Sequence, residues 1–327
     1  MKHEQFLSLP LILRNFLAYN ETIKGKSSKS IDEYCFDLQT FFRYLLLTKG
    51  LVSSEIEFEE IDTSVIDIDI LKTVTLTDLY AFLVYCKNER NNNAATRARK
   101  ASTLRIFFRY LTLQEHLLEV NPAELLESPK TKQSLPKHLT LEDSINLLRS
   151  VEGQNSERDY CILTLFLNCG LRLSELVGLN LSDIKSDGSL RVLGKGNKER
   201  VVYLNQACIN AINAYLQVRP NEGVPVNYKN ALFISRNMRR ISNKTVQHIV
   251  KTYLEKSGLG NMGYSTHKLR HTAATLMYQQ GNVDVRVLKE ILGHANLGTT
   301  QIYTHVANKQ IENAINSNPL ANVKKDD

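Results

Sequence analysis

S-T-H-K-L-R-H-T-A-A-T-L, residues 265–276, is the stretch that most constrains the fold of this chain. Its first residues can cap a helix, and His267, Arg270 and His271 then project from one face of that helix. The positive end of the helix dipole lies at the same turn, so an anion fits there. The alternatives are ordinary core or surface histidines, or a zinc site. Zinc is disfavoured because Lys268 stands where zinc proteases need a glutamate, so we expect no metal or other cofactor.

L-G-H-A-N-L-G-T-T-Q-I-Y, residues 292–303, adds His294 and Tyr303. A tyrosine hydroxyl has a pKa of about 10, so it needs cationic neighbours before it can act as a nucleophile. The cationic candidates are Arg172, Lys195 and Arg270. A pair of arginines can hold both non-bridging oxygens of a phosphate and stabilise its pentavalent transition state. The set therefore suits attack of a tyrosine on a phosphodiester, with a plain core tyrosine as the alternative.

The charge of the chain is unevenly distributed along its 327 residues. Residues 1–127 hold 15 Lys/Arg and 18 Asp/Glu, a net of −3, whereas residues 128–327 hold 26 and 16, a net of +10. A strongly basic C-terminal part points to nucleic acid, although solubility alone can also explain it. The five scattered cysteines suit a reducing compartment. Since neither a signal peptide nor a membrane-spanning run is found, we expect a cytoplasmic protein with no membrane partner.

Apolar periodicity predicts a helical N-terminal domain over residues 1–127. Its predicted helices cover 10–19, a segment from Ile31 that Ser30 and Glu33 cap as a capping box, 77–89 and 96–118. The last of these is basic, and we expect it to contact a phosphate backbone. Its cationic residues are Arg97, Arg99, Lys100, Arg105 and Arg109. The acidic stretch 55–69 is expected to face away from DNA.

A polar stretch with two prolines, residues 128–137, predicts an extended linker to a second domain, residues 138–327. The predicted helices of that domain cover 140–151, 158–168, a segment opening at Arg172, 206–218, 242–256, 266–280, 283–292 and 299–306. Around G-K-G-N-K (194–198) the apolar period changes to two, which predicts a β-hairpin. The fold class is therefore mainly α with a small β-hairpin, in two domains.

Five motifs in order resemble the tyrosine recombinase (phage integrase) family, and most closely its Xer subgroup. They are C-G-L-R-L-S-E-L-V-G-L (169–179), G-K-G-N-K-E-R (194–200), H-K-L-R-H-T-A-A-T (267–275), L-G-H (292–294) and I-Y-T-H-V (302–306). The resemblance covers most of 160–306, and the helical N-terminal part resembles the core-binding domain of the family. It implies a two-domain DNA clamp, with a core-binding domain followed by a catalytic domain.

The resemblance also implies a catalytic set. Its members are Arg172, Lys195, His267, Arg270, His294 and Tyr303. The arginines would bind the scissile phosphate, and the lysine would protonate the 5′ leaving oxygen, with Lys198 as the alternative. The first histidine would assist proton transfer from the tyrosine, and the second would hydrogen-bond the phosphate. The tyrosine would form a 3′-phosphotyrosine link. Glu175 is expected to support the site through a salt bridge, and His271 to lie behind it.

The partners that the resemblance implies are double-stranded DNA, a homo- or heterotetramer on two recombination sites, and the FtsK translocase as a candidate activator. The family's last helix docks on a neighbouring subunit, and residues 307–316 would do so here unless they pack on their own domain. Three alternatives to Xer-type chromosome dimer resolution stay open. They are a mobile-element integrase, a type IB topoisomerase-like activity and a non-catalytic DNA-binding regulator.

Overall fold

The computed structural model describes residues 6–130, 137–194, 199–280 and 283–293. The chain divides into two compact units, Met1–Gln133 and Ser134–Asp327. In the described ranges the units are helical apart from one two-stranded antiparallel sheet. The predicted fold class, mainly α with a small hairpin, is therefore confirmed. Most of the predicted linker, residues 131–136, lies outside the described residues.

The first unit is built from α1 (Leu11–Thr22), α2 (Ser28–Thr48), α3 (Ile68–Lys72), α4 (Leu76–Asn88) and α5 (Ala94–Leu113). Its core is aromatic. The rings of Phe41 and Phe82 meet edge-on with centroids 5.2 Å apart, as do those of Phe16 and Phe107. All four side chains are fully buried. Edge-to-face ring pairs fix side-chain geometry beyond simple burial, so the unit has a specifically packed core.

The structure corrects several predicted helix ends in this unit. Ser27, not Ser30, caps α2, because its hydroxyl accepts a hydrogen bond from the Ser30 amide at 3.4 Å. Thr75 caps α4 through a capping box with Asp78. Helix α5 ends at Leu113 rather than at residue 118. A polar side chain that can bond a free amide sets the start of a helix, and apolar spacing alone does not reveal which one does so.

The structure contradicts the predicted basic face of α5 at one of its five cations, Lys100. Lys100 is buried, with its ammonium 2.9 Å from the carboxylate of the equally buried Asp37. Arg99 reaches the same carboxylate at 2.5 Å. Arg105 donates to a backbone carbonyl at 2.7 Å, whereas Arg109 is exposed. The physical reason is that a buried carboxylate needs paired cations, so Asp37 draws Lys100 into the core and also pairs with Arg99, which stays 37% exposed.

The acidic stretch is tied to its own unit by one glutamate. Glu59 pairs with Arg43 and with Arg90, each at 2.6 Å. Ile61 and Ile66 from the same stretch enter the core. These contacts make the stretch an integral part of the unit rather than a mobile tail.

The second unit contains α6 (Leu141–Arg149), α7 (Ser156–Cys169), α8 (Leu173–Gly178), β1 (Ser189–Leu193), β2 (Glu199–Tyr203), α9 (Gln206–Val218), α10 (Asn243–Lys256), α11 (Thr266–Gln279) and α12 (Val285–Leu292). Helix α6 lies within the predicted range 140–151 and begins with a capping box formed by Thr140 and Asp143. Helix α7 is apolar on nearly every face and packs against α9 and α11. An all-round apolar helix belongs in the middle of a domain, and α7 is the central element of this core.

The hairpin pairs β1 with β2 from Ser189 opposite Tyr203 to Leu193 opposite Glu199. Alternate residues face the core, among them Val192 and Val202. Arg200 lies on that same inward face, directly opposite Val192. The turn of the hairpin, residues 195–198, lies outside the described residues.

Candidate active site

The site is assembled at the junction of α7 and α8. Gly170 ends α7 in the left-handed conformation (φ +58°), which turns the chain so that Arg172 becomes the N-cap of α8. Glu175 then sits in the first turn of α8. Its carboxylate accepts a hydrogen bond from the Arg172 amide at 2.7 Å and another from the Arg172 guanidinium at 2.6 Å. Because Arg172 and Glu175 are three residues apart, about one helical turn, these two bonds hold their side chains together.

Arg270 comes from α11 and meets the same carboxylate. Its side chain is only 3% exposed, and its Nη1 lies 3.8 Å from Glu175 Oε2. The same nitrogen donates to the carbonyl of Gly170 at 2.6 Å. The structure therefore brings the two arginines predicted to bind phosphate, Arg172 and Arg270, to one shared carboxylate. The expected salt-bridge role of Glu175 matches these contacts.

A third arginine, for which no role was predicted from the sequence, completes the cluster. Arg200 of β2 donates from Nη1 and Nη2 to the two oxygens of Glu175 at 2.7 and 2.8 Å. The signal that could have found it is strand alternation, which turns Arg200 inward beside Val202. An arginine on the buried face of a strand needs an anionic partner, and Glu175 is the carboxylate that supplies it.

The electrostatics of the cluster favour an anion. Burial would raise the pKa of Glu175, but hydrogen bonds from Arg200 and Arg172 outweigh it and lower that pKa from 4.5 to about 2. The carboxylate is therefore ionised at any working pH. With three guanidinium charges against one carboxylate, the group retains a net charge of +2. A cationic, half-buried group of this kind suits a bound oxyanion.

His267 and His271 lie one turn apart on α11, with their Nε2 atoms 3.0 Å apart. Burial, followed by the charge of Arg270, lowers the pKa of His267. Burial, followed by His267, lowers the pKa of His271 to about 4. Both rings are therefore neutral near pH 7, so one donates its Nε2–H to the other. A neutral imidazole beside an oxyanion site can accept a proton.

Three members of the predicted catalytic set have no described position. Lys195 lies in the hairpin turn, and His294 and Tyr303 follow Gly293. Residues 307–316, the predicted docking helix, and Lys198 likewise fall outside the described residues. Their roles remain predictions from the sequence.

Three further features of the described ranges concern metals, membranes and cysteines. No group of three His, Cys, Asp or Glu side chains there is arranged to hold a metal ion. Within the same ranges, none of the helices combines the length and the apolar character needed to cross a membrane. All five cysteines are buried and free of disulfides.

Comparison with known proteins places this geometry in a family. The profile of the phage integrase family matches residues 137–310, and that of the phage integrase N-terminal SAM-like domain matches residues 56–115. The tyrosine recombinase XerC of Caldanaerobacter subterraneus subsp. tengcongensis is 54% identical, over 96% of this chain and 88% of its own length. The tyrosine recombinase XerD of Proteus mirabilis is 35% identical, over 92% and 90%.

Solved structures share the fold at low sequence identity. A crystal structure of the XerH recombinase bound to a palindromic difH substrate has a TM-score of 0.70 at 21% identity, covering 97% of this chain and 90% of that one. A lambda integrase dimer bound to a COC' core site has a TM-score of 0.64 at 17% identity, covering 93% and 95%. Because one family profile spans more than half of the chain and the relatives cover nearly all of it, the protein belongs to the phage integrase family of tyrosine recombinases.

Proposed function

We propose that this protein is a site-specific DNA recombinase of the Xer type, which cuts and rejoins DNA through a 3′-phosphotyrosine intermediate and resolves chromosome dimers. The observation that carries the proposal is the convergence of Arg172, Arg200 and Arg270 on the carboxylate of Glu175. Such a cluster supplies fixed guanidinium donors for one phosphate group and needs no cofactor. The 54% identity to a tyrosine recombinase XerC adds the class of reaction.

In the proposed reaction, Tyr303 attacks the scissile phosphorus while Arg172 and Arg270 hold the non-bridging oxygens. A bond forms between the tyrosine oxygen and phosphorus, and the bond from phosphorus to the 5′ oxygen breaks. Lys195 gives a proton to that leaving oxygen, and His267 assists removal of the phenolic proton. His294 donates a hydrogen bond to the phosphate. Since the phosphotyrosine keeps the energy of the ester, a 5′-hydroxyl from another strand reverses the attack and joins it.

Support for the role of His267 comes from its neighbours. Its pKa is lowered by burial and by the adjacent Arg270, so the ring is neutral at physiological pH and free to accept a proton. A protonated imidazole would instead add a positive charge to the site, and neither of its ring nitrogens could accept a proton. The 3.0 Å contact between the rings makes one Nε2 the donor and the other the acceptor, so the tautomers of His267 and His271 are coupled.

We further propose that residues 1–127 bind DNA as a core-binding domain, that residues 128–137 link the units, and that residues 138–327 form the catalytic domain. The proposed partner is double-stranded DNA, by analogy with the XerH and lambda integrase crystal structures, which contain their DNA sites. Four protomers would assemble on two sites in the cytoplasm, with residues 307–316 docking on a neighbour and FtsK as activator. The N-terminal profile match at residues 56–115 supports this division.

The proposal is tested by trapping the covalent intermediate in cells. Protein–DNA adducts recovered under denaturing conditions and sequenced should map to a single locus, because a site-specific enzyme cleaves at one kind of site. A locus near the replication terminus supports chromosome dimer resolution, whereas sites at the ends of a mobile element assign an integrase instead. Adducts at random positions would contradict site-specific recombination.

A matched pair of variants tests the nucleophile on a nicked duplex carrying the mapped site. Tyr303→Phe should abolish the adduct, because phenylalanine has no oxygen to attack phosphorus. Tyr203→Phe is the control, since Tyr203 is a 79% exposed tyrosine of the same unit and should react like the wild type. An adduct that persists in Tyr303→Phe would refute the assignment.

A further inference from the structure

The C-terminal end of α12 contacts the cluster of Arg172, Arg200 and Arg270 through three successive backbone carbonyls. Ile291 accepts a hydrogen bond from Arg200 at 3.0 Å, Leu292 from Arg270 at 2.6 Å, and Gly293 from Arg172 at 3.0 Å. The last carbonyls of a helix have no partner within the helix, and cationic donors satisfy them well. Three different arginines therefore replace the missing helix bonds, one each.

Arg200 links this helix end to the carboxylate. Its Nε donates to Ile291, while Nη1 and Nη2 donate to the two oxygens of Glu175. All three of its nitrogens are thus already engaged with the protein, and its side chain is 12% exposed. In comparison, the Arg172 side chain is 35% exposed. Arg200 is therefore placed to hold other residues of the site together.

The chain passes Arg200 closely as it leaves α12. Gly293 adopts the left-handed conformation (φ +63°), and a Cβ there would lie 2.9 Å from Arg200 Cδ. Only a residue without a side chain fits this approach without displacing the arginine. The sequence that follows directly is His294 and, nine residues later, Tyr303. Whatever fixes the end of α12 therefore fixes the start of that segment.

We propose that Arg200 is a positioning residue for the recombination reaction: by gripping Glu175 and the end of α12 together, it aligns Arg172 and Arg270 with the segment that begins after Gly293. This inference rests on the proposed function. Without Arg200, Glu175 loses its two-point partner and Ile291 loses its donor, so each phosphate-binding arginine is held to α12 by a single hydrogen bond, from Arg270 to Leu292 and from Arg172 to Gly293. Because catalysis needs near-attack geometry, a displacement of about 1 Å costs on the order of 100-fold in rate.

The test is single-turnover formation of the covalent adduct on the nicked duplex that carries the mapped site. Arg200→Ala should slow it about 100-fold. Arg200→Lys keeps the charge but not the planar fork, so it should recover part of the rate, to a loss of about 10-fold. The matched control is Arg191→Ala, because Arg191 lies on the other strand of the hairpin and pairs with Asp183 and Glu199 instead. It should stay within about 2-fold of the wild type.

A double-mutant cycle separates positioning from simple structural support. If Arg200 acts through Glu175, then Arg200→Ala combined with Glu175→Gln should be no more than about 3-fold slower than the slower single variant. Losses that multiply would show that the two residues act independently and would overturn the proposal. Should Arg200→Ala fail to fold, the cycle is run with Arg200→Lys, which retains the charge beside the buried carboxylate.

A pH profile gives a second readout that a purely structural role would not move. In the wild type the pKa of Glu175 is about 2, so its carboxylate stays ionised as the pH is lowered toward that value. Loss of the Arg200 hydrogen bonds raises that pKa toward its ordinary 4.5, so the rate of Arg200→Ala relative to the wild type should fall as pH drops from 6 to 4. A constant ratio would contradict the inference. A wild type that forms no adduct refutes the proposed function instead, whereas Arg200→Ala reacting at the wild-type rate refutes only this inference.

Discussion

Replacing Glu175 by glutamine measures how strongly the arginine cluster holds its carboxylate. Glutamine has nearly the shape of a protonated glutamate, so the substitution removes the charge and leaves the packing. The folded protein lowers the pKa of Glu175 from 4.5 to about 2, mainly through Arg200 and Arg172 acting against the cost of burial. Since a pKa change of one corresponds to about 1.36 kcal/mol, the ionised form is favoured by about 3 kcal/mol on folding.

The sign of the pH dependence follows from the lowered pKa. A carboxyl group whose pKa is depressed by folding stabilises the protein above its unfolded pKa and loses that contribution as pH falls through its folded pKa. The free energy of unfolding of Glu175→Gln should therefore lie about 3 kcal/mol below the wild type at pH 7. At pH 3, between the two pKa values of 4.5 and about 2, linkage reduces that gap to about 1 kcal/mol.

Urea titration can resolve this change in the second unit alone. The chain has no tryptophan, so Tyr160→Trp, at a 40% exposed position of α7, supplies a fluorescence reporter for that unit in every variant. Unfolding free energies are then compared at pH 7 and pH 3 in the same background. Glu255→Gln is the matched control, because Glu255 is exposed and its pair with Lys251 lies at 3.7 Å, which should contribute less than about 1 kcal/mol.

Two results would refute the reasoning. A gap below about 1 kcal/mol at pH 7 would mean that three guanidiniums do little more than offset the burial of the carboxylate. A gap of equal size at both pH values would show that the glutamine disturbs packing, and that the charge is not the cause. Either result would also remove the basis for treating Arg200 and Glu175 as one unit.

The remaining predictions concern the turn before Arg172 and the histidine pair. Gly170→Ala should lower the free energy of unfolding of the second unit by about 1–3 kcal/mol. The reasons are that its φ is +58° and that the new Cβ would lie 2.8 Å from Leu292 Cδ2. Gly153→Ala is the control, because Gly153 is also at positive φ but has nothing within 4 Å of the new Cβ, so it should show the backbone strain alone. Urea titration with the same reporter checks both, and equal losses would mean that Leu292 yields freely. The pKa of His271 is about 4, below its ordinary 6.5, so the wild type should lose stability as pH falls from 6.5 to 4 and His271→Asn should lose less. Imidazole proton shifts followed by NMR across that range test the assignment directly, and a midpoint near 6.5 would contradict it.

Local patterns predicted the parts of the fold that short-range physics decides. The hairpin around residues 194–198 follows from alternating apolar residues on each side of a glycine-rich turn. The helix predicted over 158–168 is found as α7, and its nearly continuous apolar sequence explains its burial. In each case, all the information lies within about a dozen residues.

Local sequence patterns could not predict which residues far apart in the chain form ion pairs. The basic composition of α5 suggested an open cationic face, yet Asp37, more than 60 positions earlier, draws Lys100 into the core and pairs with Arg99. Arg200 lies within a motif but had no predicted role, because its partner Glu175 lies 25 residues away on another element. A buried ion pair is decided by which elements the core brings together, and that is a property of the tertiary structure.

The net charge of the cluster explains why the carboxylate of Glu175 lies inside the proposed phosphate site. Arg172, Arg200 and Arg270 together with Glu175 leave a net charge of +2. A phosphodiester carries one negative charge, but with an attacking phenolate the pentavalent transition state carries two. The cluster therefore matches the transition state more closely than the ground state, which is the condition for binding energy to accelerate a reaction. Without Glu175 the group would carry +3, bind the resting phosphodiester more tightly and lose its fixed geometry. On the proposed function, the carboxylate of Glu175 thus lowers the affinity for the ground-state phosphodiester. In return it aligns the arginines and makes their stabilisation selective for the transition state.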